Sequence, residues 1–269
     1  MDALKKKVFE FWDEAACGER LYLTASEGRN AFDEHESVRY KLEPYIPEFA
    51  GFDKAAGKRV LEIGVGLGAD HKRFAEAGAI LTGVDLTPRA VSQTSRRLEL
   101  YGLKSDLSVA DAERLSFPDN SFDVVYSWGV IHHSPDPESA VREIFRVLVP
   151  GGEARIMIYH KLSIVGFALW IRYALLTLRP FTSLGDIYGK YLESPGTRAF
   201  TVQEGKQLFK DFGSVEIRTV LTHGDLLASA AGQRHEGIFL NVARAVWPRR
   251  IIRTFFRMFG LFMLVTARK

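Results

Sequence analysis

The sequence predicts an α/β fold built on a mostly parallel sheet, and three observations predict it. From residue 59 onward, short apolar segments alternate with longer segments of helical periodicity, which is the order expected for a parallel sheet covered by helices. Gly, Pro and Asn residues separate these segments, as turns require. The chain has 269 residues, of which 46% are hydrophobic and 26% charged, so it is expected to fold as one large domain with insertions.

Strands and helices alternate regularly as far as residue 160. The first five strands are predicted at Arg59–Val65, Ile80–Leu86, Ser105–Asp111, Phe122–Val130 and Gly152–His160, with helices at Ala69–Ala77, Pro88–Tyr101 and Pro137–Leu148. Pro137 suits the first turn of a helix, and Pro150-Gly151-Gly152 ends that helix before the fifth strand.

Two insertions interrupt the alternation after the fifth strand. They cover residues 161–200 and 222–258, and both are apolar and basic. Between them, Thr201-Val-Gln-Glu204 has the pattern of a capping box. The remaining predicted elements are a helix from Thr201 to about Phe212, a sixth strand at Ser214–Leu221 and a last strand at Leu261–Arg268. The resulting division is an N-terminal helical cap at residues 1–57 and a main domain at residues 58–269 that carries both insertions.

Composition excludes several classes of protein. Cys17 is the sole cysteine, so neither a disulfide framework nor a multi-thiolate zinc site is expected. The net charge of +3 is too small to indicate nucleic-acid binding. The N-terminus has the pattern of an amphipathic helix rather than of a signal peptide, which predicts a cytoplasmic location. Leu162–Leu178 is almost wholly apolar but carries Arg172, which favours a lid or an interfacial helix over a membrane span.

A glycine-rich turn follows the first strand and indicates a nucleotide site. Gly64, Gly66 and Gly68 stand in the segment VLEIGVGLGAD, where glycine lets a ligand approach the backbone and the next helix offers free N–H groups. Asp85 ends the second strand and Asp111 the third. Because the carboxyl ends of parallel strands share one edge of the sheet, both carboxylates are expected beside this turn, and Asp85 is placed to accept ribose hydroxyls.

These motifs resemble those of a known enzyme family. In chain order they are Glu62-x-Gly64-x-Gly66-x-Gly68, Gly83-Val84-Asp85, Ala110-Asp111-Ala112, Phe117-Pro118-Asp119, Ser121-Phe122-Asp123 and His132-His133. In combination and order they resemble the class I S-adenosylmethionine-dependent methyltransferases, and within them the branch of ubiquinone/menaquinone and sterol-type small-molecule methyltransferases. The resemblance is dense over about residues 58–160. It implies a Rossmann-like sheet of seven strands with an antiparallel edge, and S-adenosylmethionine as cofactor.

The resemblance also implies roles for individual residues. Glu62 would lie near the methionine amino group; Gly64, Gly66 and Gly68 would line the methionine moiety; Asp85, with Leu86 next to it, would hold the ribose; Asp111 would meet the adenine amino group with Ala112 beside it; and Trp128 and His132 would close the site. A tyrosine of the cap, Tyr22 or Tyr40, would cover the cofactor.

Two other classes of protein stay open as alternatives. A dehydrogenase would also use a glycine turn and an acid after the second strand. Its fingerprint is G-x-G-x-x-G, whereas the turn here is Gly64-x-Gly66-x-Gly68, and this spacing favours the methyl donor over a nicotinamide cofactor. The second alternative is a non-catalytic protein that binds S-adenosylmethionine without turnover.

Methyl transfer requires alignment of an acceptor, and a general base only if the acceptor must lose a proton. The candidate catalytic residues are His133, Tyr159 and His160, which follow the fourth and fifth strands. A turn that only satisfies backbone groups is an equal alternative for His133. No metal is expected, because His223, Asp225 and His235 lack a tight ligand spacing.

The insertions are expected to choose the acceptor, since the fold alone does not name a substrate. Aromatic residues fill the first insertion, and arginines alternate with bulky apolar residues in the second. This pattern suits a helix at a membrane interface, through residues 162–178 and 244–258, and leaves a lipophilic acceptor open. An ordinary lid or a dimer contact is the alternative, and nucleic acid is not expected as a partner.

Overall fold

Seven strands pair into one sheet in the computed structural model, which describes residues 2–15, 19, 28–228 and 247–269. The strands are β1 (Arg59–Ile63), β2 (Ile80–Asp85), β3 (Asp106–Val109), β4 (Phe122–Trp128), β5 (Leu148–Tyr159), β6 (Ser214–Val220) and β7 (Phe262–Arg268). Their order is β3-β2-β1-β4-β5-β7-β6, and β7 runs antiparallel to both of its neighbours. The sequence-based expectations for Cys17, Tyr22, His235 and residues 229–246 lie outside the described residues.

Helices cover both faces of this sheet. They are α1 (Ala3–Glu14), α2 (Arg29–Leu42), α3 (Ile46–Ala50), α4 (Ala69–Glu76), α5 (Pro88–Tyr101), α6 (Pro137–Val147), α7 (Ile164–Trp170), α8 (Leu184–Tyr191), α9 (Val202–Leu208) and α10 (Arg249–Phe255). Short 3₁₀ turns stand at Phe52–Lys54, Ile131–His133 and Arg257–Phe259, and a π-helical turn at Ile171–Leu175 continues α7. The capping box predicted at Thr201 and Glu204 is present at the start of α9.

The order of the strands determines where a ligand can bind. β2 lies on one side of β1 and β4 on the other, so the chain reverses its direction of progress across the sheet between β1 and β4. At such a switch point the two following loops separate and leave a crevice at the carboxyl edge. The crevice here opens between the turn after β1 and the 3₁₀ turn after β4.

Alternation along the strands builds a separate core on each face. Leu61 of β1 and Ile158 of β5 belong to the core that α6 covers. Val60 and Tyr159, their neighbours in the sequence, belong to the core on the opposite face, which also includes Phe74 of α4. Because successive side chains of a strand point to opposite faces, the last residues of each strand are divided between the two faces in the same way.

The structure confirms the mostly parallel α/β fold and moves some of the predicted boundaries. β5 begins at Leu148 rather than at Gly152, because Leu148 pairs with Phe122 across a register shift. α9 ends at Leu208, four residues before the predicted end. In the first insertion, the apolar segment forms α7 and the π-helical turn rather than one continuous helix.

Among residues 2–15, 19, 28–228 and 247–269, no helix is both long enough and apolar enough to span a membrane.

Candidate active site at the carboxyl edge of the sheet

A cavity of about 1010 Å³ lies at the switch point of the sheet. Ligand pockets in proteins range from about 300 to 1,000 Å³, so this cavity has room for two bound molecules side by side. Its walls come from the turn after β1, the ends of β2 and β3, the 3₁₀ turn after β4, the end of β5, α1, and both insertions. One end of the cavity is therefore built by the sheet and the other by the segments added around it.

The glycine turn after β1 lines the first end of the cavity. Gly64, Gly66 and Gly68 all have positive φ values, of 85°, 53° and 72°. Residues other than glycine rarely adopt this backbone conformation. A Cβ at Gly64 would lie 2.0 Å from Cγ2 of Val130, whereas a Cβ at Gly66 would meet no heavy atom within 4 Å. The open space at Gly66 faces a cradle that a ligand can enter.

Asp85 closes this cradle at the end of β2. Its Oδ1 accepts bonds from the backbone N–H and the hydroxyl of Thr87, both at 2.9 Å, and its Oδ2 lies 3.3 Å from the backbone nitrogen of Gly66. Burial raises the pKa of Asp85, and the bonds from Thr87 and Gly66 oppose that rise. The carboxylate is therefore held in a fixed orientation beside the turn, with acceptor capacity left for a ligand.

Glu62 and His71 form a buried pair under the glycine turn. The Ser105 hydroxyl donates to the carbonyl of Leu81 at 2.9 Å, so its oxygen accepts from Nε2 of His71 at 2.8 Å. The lone pair of His71 Nδ1 then faces Oε2 of Glu62 at 2.8 Å, which requires the proton to reside on Glu62. This agrees with the pKa directions: burial, reinforced by Asp70, raises the pKa of Glu62 well above its usual range, and burial lowers that of His71 to about 3.

Helix α2 of the N-terminal segment is tied to the turn through Asp70. Arg39 bonds both carboxylate oxygens of Asp70, at 3.0 and 2.6 Å. The hydroxyls of Tyr40 and Tyr126 donate to the same carboxylate at 2.9 and 2.7 Å. Burial alone would raise the pKa of Asp70, but Arg39 and these bonds lower it. Tyr40, proposed from the sequence as a cover for the cofactor, instead fixes Asp70.

Helix α1 spans the cavity and contacts both of its ends. Lys5 pairs with Asp111 at 2.6 Å and also bonds Glu113. Trp12, further along the helix, packs its edge against the imidazole of His133 with ring centroids 5.2 Å apart. Asp111, which was expected to meet the adenine amino group, therefore already forms an ion pair through its Oδ2 with Lys5 of the N-terminal segment.

The second end of the cavity carries the ionisable groups suited to an acceptor. Nε2 of His133 lies 3.2 Å from Oε2 of Glu193, and the Tyr159 hydroxyl donates to the same oxygen at 2.7 Å. Nδ1 of His133 lies 2.8 Å from the Ser194 hydroxyl and 3.1 Å from that of Thr197. These residues come from the turn after β4, the end of β5 and the first insertion, and they place a carboxylate, an imidazole and a phenol together.

Most of the residues singled out from the sequence line this cavity. They are Glu62, Gly64, Gly66, Gly68, Asp85, Leu86, Asp111, Ala112, Trp128, His133 and Tyr159. His132 and His160 are not among the lining residues, although the sequence suggested both for the site.

The imidazole of His160 is engaged elsewhere, which corrects its expected catalytic role. Its Nδ1 lies 3.2 Å from the carbonyl of Gly260, and Tyr159, one residue earlier, contributes to the cavity wall. The alternation of a strand sends the two side chains to opposite faces. His132 is fully buried behind the cavity wall and packs against Tyr159, with ring centroids 3.8 Å apart and the ring planes tilted by 33°. Burial lowers the pKa of His132 well below the usual range.

The metal candidates of the second insertion are only partly described. Asp225 accepts bonds from the Thr222 hydroxyl and from the backbone of Leu261, both at 2.9 Å, so its carboxylate has a structural role at the start of β7. His223 lines the cavity. Within the described part of the chain, the group of side chains close enough to share an ion is instead His132, His133 and Glu193.

Sequence reasoning missed several residues of the site. They are Lys5, Trp12, Arg39, Glu43, Asp70 and Glu193, all of which line the cavity. Glu43 is notable because burial, against the opposing effect of Arg39, raises its pKa to about 7. Glu193 lies in the segment Glu193-Ser-Pro-Gly196. This polar turn within an apolar insertion is the sequence feature that could have indicated its place in the site.

Comparisons with known proteins agree with this geometry. Residues 61–156 match a family described as a methyltransferase domain. The chain is 36% identical over 105 residues to phosphatidylethanolamine N-methyltransferase of Cereibacter sphaeroides, an alignment that covers 38% of this chain and 51% of that protein. It is 38% identical over 120 residues to ubiquinone biosynthesis O-methyltransferase of Aromatoleum aromaticum, covering 44% of this chain and 50% of that protein. The chain thus spans about half the length of these curated relatives, and 25% of another.

A solved structure shares the fold over nearly the whole chain. It is phosphoethanolamine N-methyltransferase 2 of Haemonchus contortus in complex with phosphomonomethylethanolamine and S-adenosylhomocysteine, with a TM-score of 0.59 and 17% identity, covering 97% of this chain and 60% of that one. Residues 61–156 therefore carry a methyltransferase domain. The strand order and the glycine turn agree with the class I S-adenosylmethionine-dependent type that the motifs predicted, and with S-adenosylmethionine as the cofactor.

Proposed function

We propose that this protein transfers the methyl group of S-adenosylmethionine to a lipophilic small-molecule acceptor. The observation that carries the proposal is one continuous cavity, which joins the glycine turn after β1 to the His133, Tyr159 and Glu193 cluster. Donor and acceptor would lie in contact there, and alignment is the main requirement of this reaction.

The donor end fits S-adenosylmethionine. Gly66 leaves space where a ligand would approach the backbone, and Asp85 offers a fixed carboxylate to ribose hydroxyls. The carboxyl of Glu62 keeps an oxygen that can accept a bond from an ammonium group while its proton stays towards His71. When bound, the cofactor supplies an activated methyl group on a sulfonium.

The acceptor end supplies groups that orient a nucleophile and receive its proton. His133 and Tyr159 are the proposed catalytic residues, with Glu193 bonded to both. A proton leaving the acceptor during transfer would pass to this cluster, and from it to solvent at the exposed side of Glu193. Trp12 and Trp128 would exclude water from the reacting atoms.

The acceptor is proposed to be lipophilic because of the rim around this end. Phe167, Ile171 and Phe256 line the cavity and are 42%, 45% and 44% exposed, and Phe181, in the same insertion as Phe167 and Ile171, is fully exposed. Proteins rarely leave grouped apolar side chains in water. Residues 161–185 and 247–269 contain basic residues and no Asp or Glu. Both segments also contribute to the cavity wall, the first through α7 and the second through Trp247, Phe256 and Phe259.

This rim is proposed to contact an anionic membrane surface, with its aromatic side chains in the interface and its arginines at the headgroups. An acceptor dissolved in that membrane would then enter the cavity without crossing water. We likewise propose that residues 1–57 act as the cap of the site, and that the insertions at 161–200 and 222–258 select the acceptor.

Donor binding is tested by thermal unfolding with S-adenosylhomocysteine and, separately, with NAD. At a ligand concentration of 100 Kd, S-adenosylhomocysteine should stabilise the protein by about 2.7 kcal/mol, and NAD should have no effect. Asp85→Ala should remove most of the shift, whereas Asp106→Ala, at the opposite end of a neighbouring strand, should retain it. A shift with NAD alone would refute the methyltransferase.

Membrane contact is tested by flotation with vesicles of phosphatidylcholine alone or mixed with phosphatidylglycerol. We expect flotation with the anionic vesicles, and a loss of about tenfold or more in Phe181→Ser, since burying a phenylalanine contributes about 1.5–3 kcal/mol. Leu100→Ser, on α5 and away from the rim, is the matched control. Equal behaviour of the two variants would eliminate the membrane contact and leave methyl transfer intact.

A further inference from the structure

His132 is a buried imidazole whose hydrogen bonds are unaccounted for. Its exposed fraction is 0%, and neither ring nitrogen has a hydrogen-bond partner among the residues that the structure describes. A buried polar atom without a partner costs about 1–3 kcal/mol, so such groups in folded proteins call for a specific explanation. Packing on Tyr159 accounts for the ring faces of His132 but not for its nitrogens.

The neighbouring His133 has contacts at both ring nitrogens. Its Nδ1 lies 2.8 Å from the Ser194 hydroxyl and 3.1 Å from that of Thr197, and its Nε2 lies 3.2 Å from Oε2 of Glu193. When Nδ1 donates to one of these hydroxyls, the lone pair of Nε2 faces Oε2 of Glu193, and a cation between the two removes their repulsion.

A proton and a metal ion are the two cations that could lie there. A proton would join His133 to Glu193 and leave both nitrogens of His132 without a partner. A metal ion would use a nitrogen of each histidine and an oxygen of Glu193, three donor atoms that all lie within 4.8 Å of one another. The metal gives a partner to one nitrogen of His132 as well as to His133 and Glu193, whereas the proton serves only His133 and Glu193.

The distance between His133 and Glu193 suits a transition metal. With ligand bonds of about 2.1 Å, a separation of 3.2 Å between Nε2 and Oε2 corresponds to an angle of about 100° at the ion. This value lies between octahedral and tetrahedral geometry. The hydroxyls of Ser194 and Thr197 on the far nitrogen of His133 are the outer contacts that orient a histidine ligand.

We propose that His132, His133 and Glu193 bind one divalent first-row transition metal ion of the zinc type. Two imidazoles and one carboxylate form the ligand set of sites that keep an open coordination position. His133 and Glu193 line the cavity, so the open position faces the acceptor. If the proposed methyl transfer is correct, an acceptor oxygen bound there would lose its proton more readily.

The test uses the whole chain, stripped with EDTA and titrated with Co²⁺ while visible absorption and bound metal are measured. We expect one equivalent of Co²⁺ per chain with a d–d band that Zn²⁺ displaces. Glu193→Gln and His132→Phe should lose the band, and Glu138→Gln, an exposed glutamate on α6, should retain it. Thr197→Val, which removes only the outer contact, should weaken Co²⁺ binding about 10- to 100-fold.

Two results would overturn the metal site. One is the absence of stoichiometric Co²⁺ on the wild-type protein; the other is wild-type Co²⁺ binding in both Glu193→Gln and His132→Phe. Circular dichroism of each variant identifies any that fails to fold, in which case Thr197→Val decides. Thermal stabilisation by S-adenosylhomocysteine should persist in the folded variants, so failure of the metal site is distinguishable from failure of donor binding.

Discussion

The two ends of the cavity are built in different ways. At the donor end, the functional groups are backbone atoms of one turn and the last side chains of adjacent strands, and Asp85 is held by Thr87 only two residues away. At the acceptor end, His133 meets Glu193 across 60 residues of sequence, and Tyr159 comes from a third segment. The donor end therefore depends on local backbone geometry, and the acceptor end on how the insertions pack.

The largest expected effect is on the free energy of unfolding, and it should differ between two glycines of the donor turn. In Gly64→Ala the new Cβ would lie 2.0 Å from Cγ2 of Val130, and overpacking together with positive φ should destabilise the fold by about 2–5 kcal/mol. In Gly66→Ala the Cβ meets open space, so only about 1–2 kcal/mol should be lost. Affinity for S-adenosylhomocysteine should nevertheless fall by more than about tenfold, because the Cβ occupies the ligand's approach.

Chemical denaturation and calorimetric titration check this pair of variants. If Gly66→Ala bound S-adenosylhomocysteine as tightly as the wild type does, the donor would not approach the backbone at this turn. Donor binding would then not depend on the local backbone geometry of this turn.

The next effect concerns Glu43, a buried carboxyl on the acceptor side. Its pKa in the folded protein is about 7 against 4.5 for the free side chain. Between these values the folded state holds a proton that the unfolded state has released, so the free energy of unfolding decreases as pH rises. The loss should be roughly 3 kcal/mol at most between pH 4.5 and 7.

Glu43→Gln should remove this contribution. Urea denaturation at pH 5 and pH 7.5 should show a smaller decrease for this variant than for the wild type. Glu48→Gln, exposed on α3, should follow the wild type. Parallel pH profiles for Glu43→Gln and the wild type would show that Glu43 is ionised throughout the range.

The smallest effect tests the helix that joins the two ends. Lys5→Met removes the cation shared by Asp111 and Glu113, and should weaken the docking of α1 by about 1.5 kcal/mol, the lower end for bonds between charged groups. Hydrogen exchange of the α1 amides should accelerate about tenfold. Lys6→Met, whose side chain is 70% exposed, should change nothing. Equal exchange rates in the two variants would show that Lys5 does not hold α1.

The fold could be predicted from the sequence, and the residues that line the donor end could be located, because their signals are local. Gly64, Gly66 and Gly68 stand within five residues of sequence, and the position of Asp85 at the end of a strand suggested its proposed role. The network around Asp70 could not be predicted, since Arg39 and Tyr126 reach it from segments 31 and 56 residues away. No periodicity or spacing encodes such contacts.

The acceptor end shows the same limit more strongly. His133 and Tyr159 were identified because they follow strands, but Glu193 lies in an insertion whose path depends on packing. His160 was predicted to lie in the cavity because it follows a strand. The prediction did not take into account that successive side chains of a strand point to opposite faces. The strand pattern itself, with Ile158 and His160 on one face and Tyr159 on the other, contained the information needed to exclude it.

Helix α1 contacts Asp111 at the donor end and His133 at the acceptor end. Any displacement of α1 therefore removes contacts from both ends at once, and the two binding equilibria share one conformational free energy. By thermodynamic reciprocity, a donor that favours the docked helix raises the affinity for the acceptor by the same factor that the acceptor raises the affinity for the donor. A single amphipathic helix thereby couples the two binding equilibria, so that whichever molecule binds first raises the affinity for the other.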